Sequence, residues 1–302
     1  MSGLLWGIDL GGTKIEGALL DAEHPHAAVH RIRRETYASR GYEFILSQIV
    51  GVVRDLENVS GLACPGVIGI GTPGAVEPST GTLKNSNTTC LNQQPLREDL
   101  TRLLARKIRM ANDANCFALA EATLGAAVGE SVVIGLILGT GVGGGIVINR
   151  QTLNGLHGIA GEWGHNPLIG ETHPCYCGRK GCIETVLSGP SLERFYRESG
   201  GGPLRLPKIV RAAALGEKPA VATLERLRDK FGEAIAAVIN ILDPGAIVIG
   251  GGVGNIDLLY SDETRQAIGR FLFNSSLATR ILRPLLGDSA GVFGAAMLTM
   301  SP

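Results

Sequence analysis

The sequence predicts an α/β protein made of two related halves. Its 302 residues allow two domains and a sizeable core. Apolar runs of strand length end in glycine-rich turns, and longer segments between them repeat their apolar residues at helical spacing. One pattern, a strand, a Gly/Thr turn and a second strand, occurs twice about 130 residues apart, which predicts two halves that face one another.

The first copy of this pattern opens the chain. Leu4–Leu10 is strongly apolar, and Ile15–Leu20 resumes a strand pattern after a glycine turn. Such a turn exposes backbone N–H groups that can hold phosphate. The glycines alone would also suit an ordinary hairpin, but the polar side chains around them favour phosphate. The residues predicted at the phosphates are Asp9, Gly11, Gly12, Thr13 and Lys14.

The second copy lies near the middle of the chain. Val132–Leu138 is an apolar run, and Ile146–Ile148 continues a strand after the turn. Two such turns can bind one polyphosphate from both sides, so the pair is a more specific signal of phosphate binding than either copy alone. The turn residues predicted to bind are Gly139, Thr140, Gly141 and Gly143.

A third glycine cluster follows the predicted strand Ala246–Ile249. Glycines at the C-terminal end of a strand let a planar base or a ribose approach the backbone. A plain strand-to-helix turn explains them equally well, so both interpretations stay open here. The residues of this cluster are Gly250, Gly251 and Gly252.

Apolar periodicity and small-residue content predict several helices. They cover Tyr42–Leu56, Cys116–Ala127, Leu224–Leu242 and Gly287–Met297. The segment Lys84–Pro95 is polar and rich in asparagine. We interpret it as a solvated loop, with a row of amides facing a hydroxyl-rich ligand as the alternative.

Asp113 follows the predicted strand end Ile108–Met110 and precedes a helix. An acid in this place is a favourable N-cap or first-turn residue. It is also where open α/β sheets present ligand-binding groups, so Asp113 could act as a general base. The local sequence leaves these two roles equally open.

Gly161–Glu184 concentrates metal-binding side chains. Three thiols and an imidazole within 18 residues suit a tetrahedral zinc ion, with no position left for water, which indicates a structural zinc. A reduced loop without metal and a disulfide are the alternatives. The predicted ligands are His165, Cys175, Cys177 and Cys182. Glu162 and Glu184 flank them, and carboxylates held in place by a metal suit the hydroxyl groups of a polyol.

Composition excludes several classes of partner. The chain has 28 basic and 28 acidic side chains, which argues against nucleic acid or an anionic membrane held by bulk charge. No apolar run is long enough to span a bilayer, and the N-terminus does not resemble a signal peptide. Cys64, Cys90 and Cys116 are isolated, and with a thiolate zinc site they fit a reducing cytosol. We therefore expect a cytoplasmic protein.

Together these motifs resemble the ROK family of sugar kinases and repressors. The matching segments are Asp9-Leu10-Gly11-Gly12-Thr13-Lys14, Asn112-Asp113, the Gly139–Gly145 turn, Gly161-Glu162-x-Gly164-His165, Cys175-x-Cys177-Gly178-x-x-Gly181-Cys182-x-Glu184 and the Gly250–Gly252 turn. The resemblance implies an actin-like, ribonuclease H-like α/β fold of two domains with a cleft between them. It places a smaller N-terminal domain at 1–111, completed by a C-terminal helix near 290–302, and a larger domain with the zinc loop at 112–289.

The same resemblance implies the chemistry. ATP and magnesium would bind in the cleft, Asp9 would help to hold hydrated magnesium, and Asp113 would be the base toward the attacking sugar hydroxyl. His165 would bind zinc through one ring nitrogen and a sugar hydroxyl through the other. The residues implied at the sugar are Asn112, Glu162, His165 and Glu184. ROK kinases are commonly dimers, so a homodimer is expected.

Two branches of the family remain to be separated. Repressors carry an N-terminal helix-turn-helix domain, and the chain begins at the phosphate hairpin, which favours the enzymes. Segments 84–92 and 161–168 are most similar to bacterial fructokinases with mannokinase activity, so phosphorylation of fructose at carbon 6 is the first expectation. The alternatives are glucokinase, an N-acyl-hexosamine kinase, or a sugar-sensing protein without catalysis.

Overall fold

The computed structural model describes residues 3–300 as a mixed α/β chain. Its strands are β1 (Leu4–Leu10), β2 (Lys14–Asp21), β3 (Ala28–Glu35), β4 (Val67–Thr72), β5 (Ala75–Val76), β6 (Leu83–Lys84), β7 (Lys107–Asn112), β8 (Val132–Leu138), β9 (Val142–Ile148), β10 (Gln151–Thr152), β11 (Ala246–Gly250) and β12 (Arg280–Leu282). Its α-helices are α1 (Tyr42–Ser60), α2 (Leu96–Leu104), α3 (Asp113–Thr123), α4 (Glu184–Leu187), α5 (Gly189–Glu198), α6 (Leu206–Ala214), α7 (Lys218–Leu242), α8 (Gly251–Gly254), α9 (Asp262–Gly269) and α10 (Ala290–Met297).

The chain forms two compact units. Unit 1 consists of Met1–Gly129, Gly145–Gly161 and Leu285–Pro302, and unit 2 consists of Glu130–Gly144 and Glu162–Pro284. The domain boundaries predicted from the sequence, at 111/112 and 289/290, stay a prediction.

The two five-stranded sheets share one topology. The first has the order β3-β2-β1-β4-β7, with β1 antiparallel to β2 and parallel to β4. The second has the order β10-β9-β8-β11-β12, with β8 parallel to β11. In both sheets the strand that enters the glycine turn is central and its hairpin partner lies beside it. The repeated hairpin of the sequence therefore reflects a repeated sheet.

Glycines let helix α10 lie directly on the first sheet. A Cβ at Gly7 would overlap the carbonyl of Val292, and one at Gly69 would overlap the carbonyl of Ala295. Helix α3 packs on α10 in the same way, because Gly294 faces the backbone of Cys116. The two helices therefore form one tight layer in unit 1.

The other face of this sheet is covered by α1. Six apolar residues of α1 are buried, and they join side chains of β1, β2 and β4 in one core. Unit 2 has its own core, in which apolar residues of the long helix α7 pack on those of β8 and β11. Each sheet thus has an apolar core of its own.

The segment Lys84–Pro95 differs from the prediction of a solvated loop. Ser86 and Thr88 are buried, and Leu91 belongs to the core of unit 1. The side chain of Asn92 accepts a hydrogen bond from Ser86 N at 2.9 Å and donates one to Ser86 O at 3.0 Å. The prediction was wrong because the polar side chains of this segment bond to its own backbone and so allow it to pack.

Helix boundaries differ from the predicted ones by a few residues. Helix α3 begins at Asp113 rather than Cys116, and α7 begins at Lys218 rather than Leu224. Within residues 3–300, no helix combines the length and the apolar character needed to cross a bilayer.

Candidate active site

The first glycine turn is braced by a buried threonine. Gly11 N donates to Lys14 O at 2.9 Å and closes the turn. Thr36, which is fully buried just after β3, donates from Oγ1 to Gly11 O at 2.6 Å, and its N–H donates to Thr13 O at 2.9 Å. The backbone of the turn is therefore fixed by a neighbouring strand.

Asp9 is the penultimate residue of β1, next to this turn, and its environment is crowded. A Cβ at Gly291, in helix α10, would lie 2.8 Å from Asp9 Oδ2, so a side chain there would displace the Asp9 carboxylate. Burial raises the pKa of Asp9 to about 6, and the nearby carboxylates of Asp113 and Glu16 add to the effect, while Lys14 opposes it. The structure thus brings together two acids of the predicted site, Asp9 and Asp113.

Glu16 is a buried acid that the sequence analysis did not single out. It is opposite Asp9 in the β1–β2 ladder and only 2% exposed. The guanidinium groups of Arg31 and Arg33 on β3 both donate to its carboxylate, Arg33 at 2.7 Å, and Lys14 Nζ lies 3.8 Å away. These cations compensate the buried charge beside the first glycine turn.

Asn112 and Asp113 join strand β7 to helix α3. Asn112 is the N-cap, and its Oδ1 accepts from Asn115 N at 2.8 Å. Asp113 is the first helical residue, and its Oδ1 accepts from Ala114 N at 2.8 Å. The Asp113 side chain is solvent-accessible, yet surrounding protein atoms desolvate its carboxyl and raise its pKa. The capping role therefore belongs to Asn112, and Asp113 is an accessible first-turn acid with a raised pKa.

The second glycine turn, in unit 2, is tied to the end of the zinc loop. Gly139 N donates to Gly141 O at 2.9 Å, and Gly189 N donates to Gly139 O at 2.8 Å. Glu184 Oε2 accepts from Val142 N at 2.9 Å, directly after the turn. A predicted sugar-binding carboxylate thus lies against a predicted phosphate turn.

Four donor side chains converge in the loop Gly161–Glu184, where the sequence predicts zinc. The ligand atoms of His165, Cys175, Cys177 and Cys182 all lie within 4.8 Å of one another. Cys175 Sγ is 3.6 Å from His165 Nδ1, and Cys177 Sγ is 3.6 Å from Cys182 Sγ. Bonds of about 2.0–2.3 Å to a tetrahedral zinc require donor separations of this size. The donor set and its spacing fit zinc, and all six cysteines are free thiols rather than disulfides.

The thiols of this cluster cannot easily all ionise without a cation. The backbone N–H and the side chain of Arg179 lower the pKa of Cys177 to about 6, whereas burial raises the pKa of Cys182 to about 12. Ionising one sulfur opposes ionising its neighbour, so a dication would be needed to hold three thiolates together.

The second ring nitrogen of His165 has a partner of its own. Its Nε2 lies 3.0 Å from the hydroxyl of Tyr176, which is 82% exposed. Partial desolvation of the hydroxyl by nearby protein atoms and the charges of Glu184 and Glu162 raise the pKa of Tyr176 to about 12, so it stays protonated at neutral pH. A sugar hydroxyl that reached this nitrogen would have to displace or join Tyr176.

The glycine–histidine motif packs on strand β9. Trp163 Nε1 donates to Gly143 O at 3.1 Å. A Cβ at Gly164 would overlap the carbonyl of Val142, so glycine is required there. The motif is thereby held against the second glycine turn.

Gly252, the last residue of the Gly250–Gly252 turn, borders a cavity in unit 2. Gly251 has φ +82° and faces the Leu138 backbone, so a side chain there would be strained and obstructed. The cavity has a volume of about 790 Å³, and its lining includes Leu206, Val210, Arg211, Leu224, Gly252 and Asn255. Its apolar walls and few polar groups suit a planar heterocycle.

Comparisons with known proteins identify the family. The model of the ROK family matches residues 5–301. The chain belongs to the ROK family.

Its similarity to three individual proteins spans nearly their whole length. It is 36% identical to an N-acetyl-D-glucosamine kinase of Photobacterium profundum, over 98% of this chain and 99% of that protein. The ROK hexokinase of Thermus thermophilus has a TM-score of 0.87 at 31% identity, with coverage of 98% and 97%. A ROK glucokinase of Streptomyces griseus, solved with glucose and AMPPNP, has a TM-score of 0.77 at 29% identity, with coverage of 98% and 99%. The predicted actin-like, ribonuclease H-like α/β class is confirmed, whereas the fructokinase resemblance is not.

Several residues of this ROK chain were missed by the sequence analysis. Thr36, Glu16 and Tyr176 contact predicted site residues from other strands or from within the zinc loop. An isolated threonine or glutamate carries no local signal, because its role depends on which strand lies beside it. Tyr176 could have been noticed, since it stands between two predicted zinc ligands.

Proposed function

We propose that this ROK chain is an ATP-dependent kinase of N-acyl-hexosamines, with N-acetyl-D-glucosamine as the first candidate. The kinase chemistry is carried by one observation, the pair of acids Asp9 and Asp113 beside a braced phosphate turn. The sugar is supported by the full-length similarity to N-acetyl-D-glucosamine kinases. The fructokinase expectation becomes the second candidate, supported by segments 84–92 and 161–168 alone.

The proposed reaction transfers the terminal phosphoryl group of ATP to a sugar hydroxyl. The sugar oxygen forms a bond to phosphorus as the bond to the departing ADP oxygen breaks, and Asp113 accepts the hydroxyl proton. A raised pKa makes Asp113 a stronger base than an ordinary aspartate. Magnesium would neutralise phosphate charge, and Asp9 is the residue that would hold its water shell.

The sugar contacts are proposed residue by residue. Glu162 and Glu184 would accept hydrogen bonds from sugar hydroxyls. Asn112 keeps its Nδ2 group for a sugar oxygen, since its Oδ1 caps the helix. His165 would reach the sugar through Nε2 after a rearrangement of Tyr176. The glycines of the two turns and Gly250–Gly252 would bind ATP, with the base in the cavity beside Gly252.

Zinc is proposed as a structural ion of the loop. His165, Cys175, Cys177 and Cys182 would hold it, and a four-ligand site leaves no position for a reacting water. Its contribution would be to order a loop rich in glycine and proline. Three thiolate ligands require a reducing compartment, which supports the cytoplasm. The homodimer stays a prediction.

Replacing a zinc ligand tests this assignment. Cys177→Ser should lower the metal content from one zinc per chain to near zero, because three ligands hold zinc far more weakly than four. The KM for sugar should rise with it, since Glu162 and Glu184 flank the loop. Elemental analysis and steady-state kinetics measure both effects. Cys90→Ser, outside the loop, is the control and should keep its zinc. Full zinc content in Cys177→Ser would contradict the site.

A second prediction concerns the contact between the phosphate turn and Glu184. A Cβ at Gly141 would lie 2.7 Å from Glu184 Oε2, so Gly141→Ala should displace this carboxylate from Val142 N. We expect the KM values for sugar and for ATP both to rise, each about tenfold, on the scale of one charge-assisted hydrogen bond. Gly139→Ala is the matched control, because a Cβ there meets no atom within 4 Å. Equal effects of the two substitutions would contradict the proposed contact.

A coupled assay of ADP release tests the function itself. The panel should contain N-acetylglucosamine, N-acetylmannosamine, glucose, mannose and fructose. The highest kcat/KM for an N-acyl sugar is expected. A clear preference for fructose would replace the proposal by its second candidate. Sugar binding without turnover on any member would identify a sensor and overturn the kinase assignment.

A further inference from the structure

The loop 154–161 reaches Glu162 without a core of its own. Its apolar side chains Leu156 and Ile159 are 84% and 46% exposed, so hydrophobic burial does not fix it. Within the loop, Ala160 N donates to Asn154 O at 3.2 Å, and Gly158 N donates to Gly155 O at 3.4 Å. These bonds shape the loop but do not attach it to the rest of unit 1.

A single lysine supplies the attachment from a side chain. Lys84 Nζ donates to the carbonyl oxygen of His157 at 2.7 Å and to Glu77 Oε2 at 2.6 Å. Lys84 ends β6, and Glu77 follows β5, so both belong to one small hairpin. The ion pair with Glu77 also lowers the pKa of that carboxyl. The ammonium group is thus held in place by its own hairpin while it binds the loop.

Of the two tied segments, the loop leads directly into a predicted sugar-binding residue. The loop ends at Gly161, and the next residue is Glu162. The hairpin continues into Asn85, which has φ +57°, and into the packed segment closed by Asn92. The loop also approaches strand β5 closely at Gly158, since a Cβ there would lie 2.7 Å from Val76 O.

From this geometry we propose that Lys84 is a positioning residue of the sugar site. It fixes loop 154–161 to the β5–β6 hairpin and so sets the entry of the chain into Glu162. The inference rests on the proposed function for its kinetic consequence, but the attachment itself is a property of the free protein. Lys84 acts through backbone position and does not touch the reacting groups.

The decisive substitution is Lys84→Met, which keeps the length of the side chain and removes its donor. The KM for the preferred sugar should rise about tenfold, the scale of a hydrogen bond to a charged group, while the KM for ATP stays within about twofold. Lys84→Arg should recover most of the loss, because a guanidinium can reach the same two acceptors. Lys107→Met, an exposed lysine of unit 1 with no side-chain partner among residues 3–300, controls for loss of charge and should resemble the parent.

Hydrogen–deuterium exchange gives a readout that needs no substrate. Peptides covering 154–161 should exchange faster in Lys84→Met than in the parent, and Lys84→Arg should exchange like the parent. Unchanged exchange together with an unchanged KM for sugar would overturn the proposal. So would an equal loss of affinity for both substrates, which would indicate general destabilisation. If the parent phosphorylates no sugar, the proposed function fails, and the exchange measurement still decides whether Lys84 anchors the loop.

Discussion

Asp113→Asn should lower kcat by about two to four orders of magnitude, the scale of a lost general base. The asparagine has nearly the same shape and can still accept a hydrogen bond from Ala114 N, but it cannot take the sugar proton. Sugar binding measured by calorimetry should change far less, because the loss lies mainly in the transition state. In the parent, kcat/KM should fall as pH decreases through the raised pKa of Asp113, since only the ionised carboxylate accepts the proton.

The chain offers a matched control for this substitution. Asp262 is also the first residue of a helix, α9, and it follows an N-cap, Ser261, whose side chain accepts from Thr264 N. Both aspartates are solvent-accessible, so they differ chiefly in their surroundings. Asp262→Asn should leave kcat unchanged and show what a first-turn acid contributes to stability. If Asp113→Asn retained turnover within a few-fold of the parent, Asp113 would be only a first-turn acid, as Asp262 is. Glu162 would then become the next candidate base.

Much of the fold was predictable because its signals are local. The two hairpins follow from apolar runs that end in glycine turns, and the structure places them at the same position in two sheets of one order. Helices α1 and α7 follow from apolar spacing, although α7 begins six residues before the predicted Leu224. The convergence of the four predicted zinc ligands was predictable for the same reason, since these side chains are close in sequence as well as in space.

The missed features depend on pairing between distant segments. Glu16 is compensated by Arg31 and Arg33 only because β3 lies beside β2 in this register. The contact of Lys84 with His157 O joins residues 73 apart and uses a backbone acceptor, which has no sequence signature. The identity of the sugar is subject to the same limit, because similarity of two short loops does not fix the contacts that distinguish fructose from an N-acyl-hexosamine.

Asp9→Asn should abolish most activity and at the same time stabilise the protein above pH 6. Activity should fall because Asp9 is the proposed holder of hydrated magnesium, so added Mg²⁺ should restore little of it. Stability should rise because the folded protein holds the Asp9 carboxyl at a pKa of about 6, above its usual value of 3.8. The folded state therefore binds this proton more tightly than the unfolded state. The stability that the folded protein gains from this proton is complete below pH 3.8 and is lost as the pH rises through 6.

Asparagine avoids this loss because it never ionises. At pH 8 we expect the free energy of unfolding of Asp9→Asn to exceed that of the parent by about 2 kcal/mol. This is less than the free energy that corresponds to the full pKa difference, because Asp9 keeps some contact with water. The difference should shrink toward pH 4, where the carboxyl is protonated in the folded state and partly protonated in the unfolded state. Asp21→Asn is the control, and its free energy of unfolding at pH 8 should change in the opposite direction. The reason is that a backbone hydrogen bond from Glu23 lowers the pKa of Asp21. Denaturant titrations at pH 4 and pH 8 measure the difference. If Asp9→Asn were no more stable than the parent at pH 8, the folded state would tolerate the charge of Asp9. Burial and the neighbouring carboxylates of Asp113 and Glu16 would then not raise the pKa of Asp9.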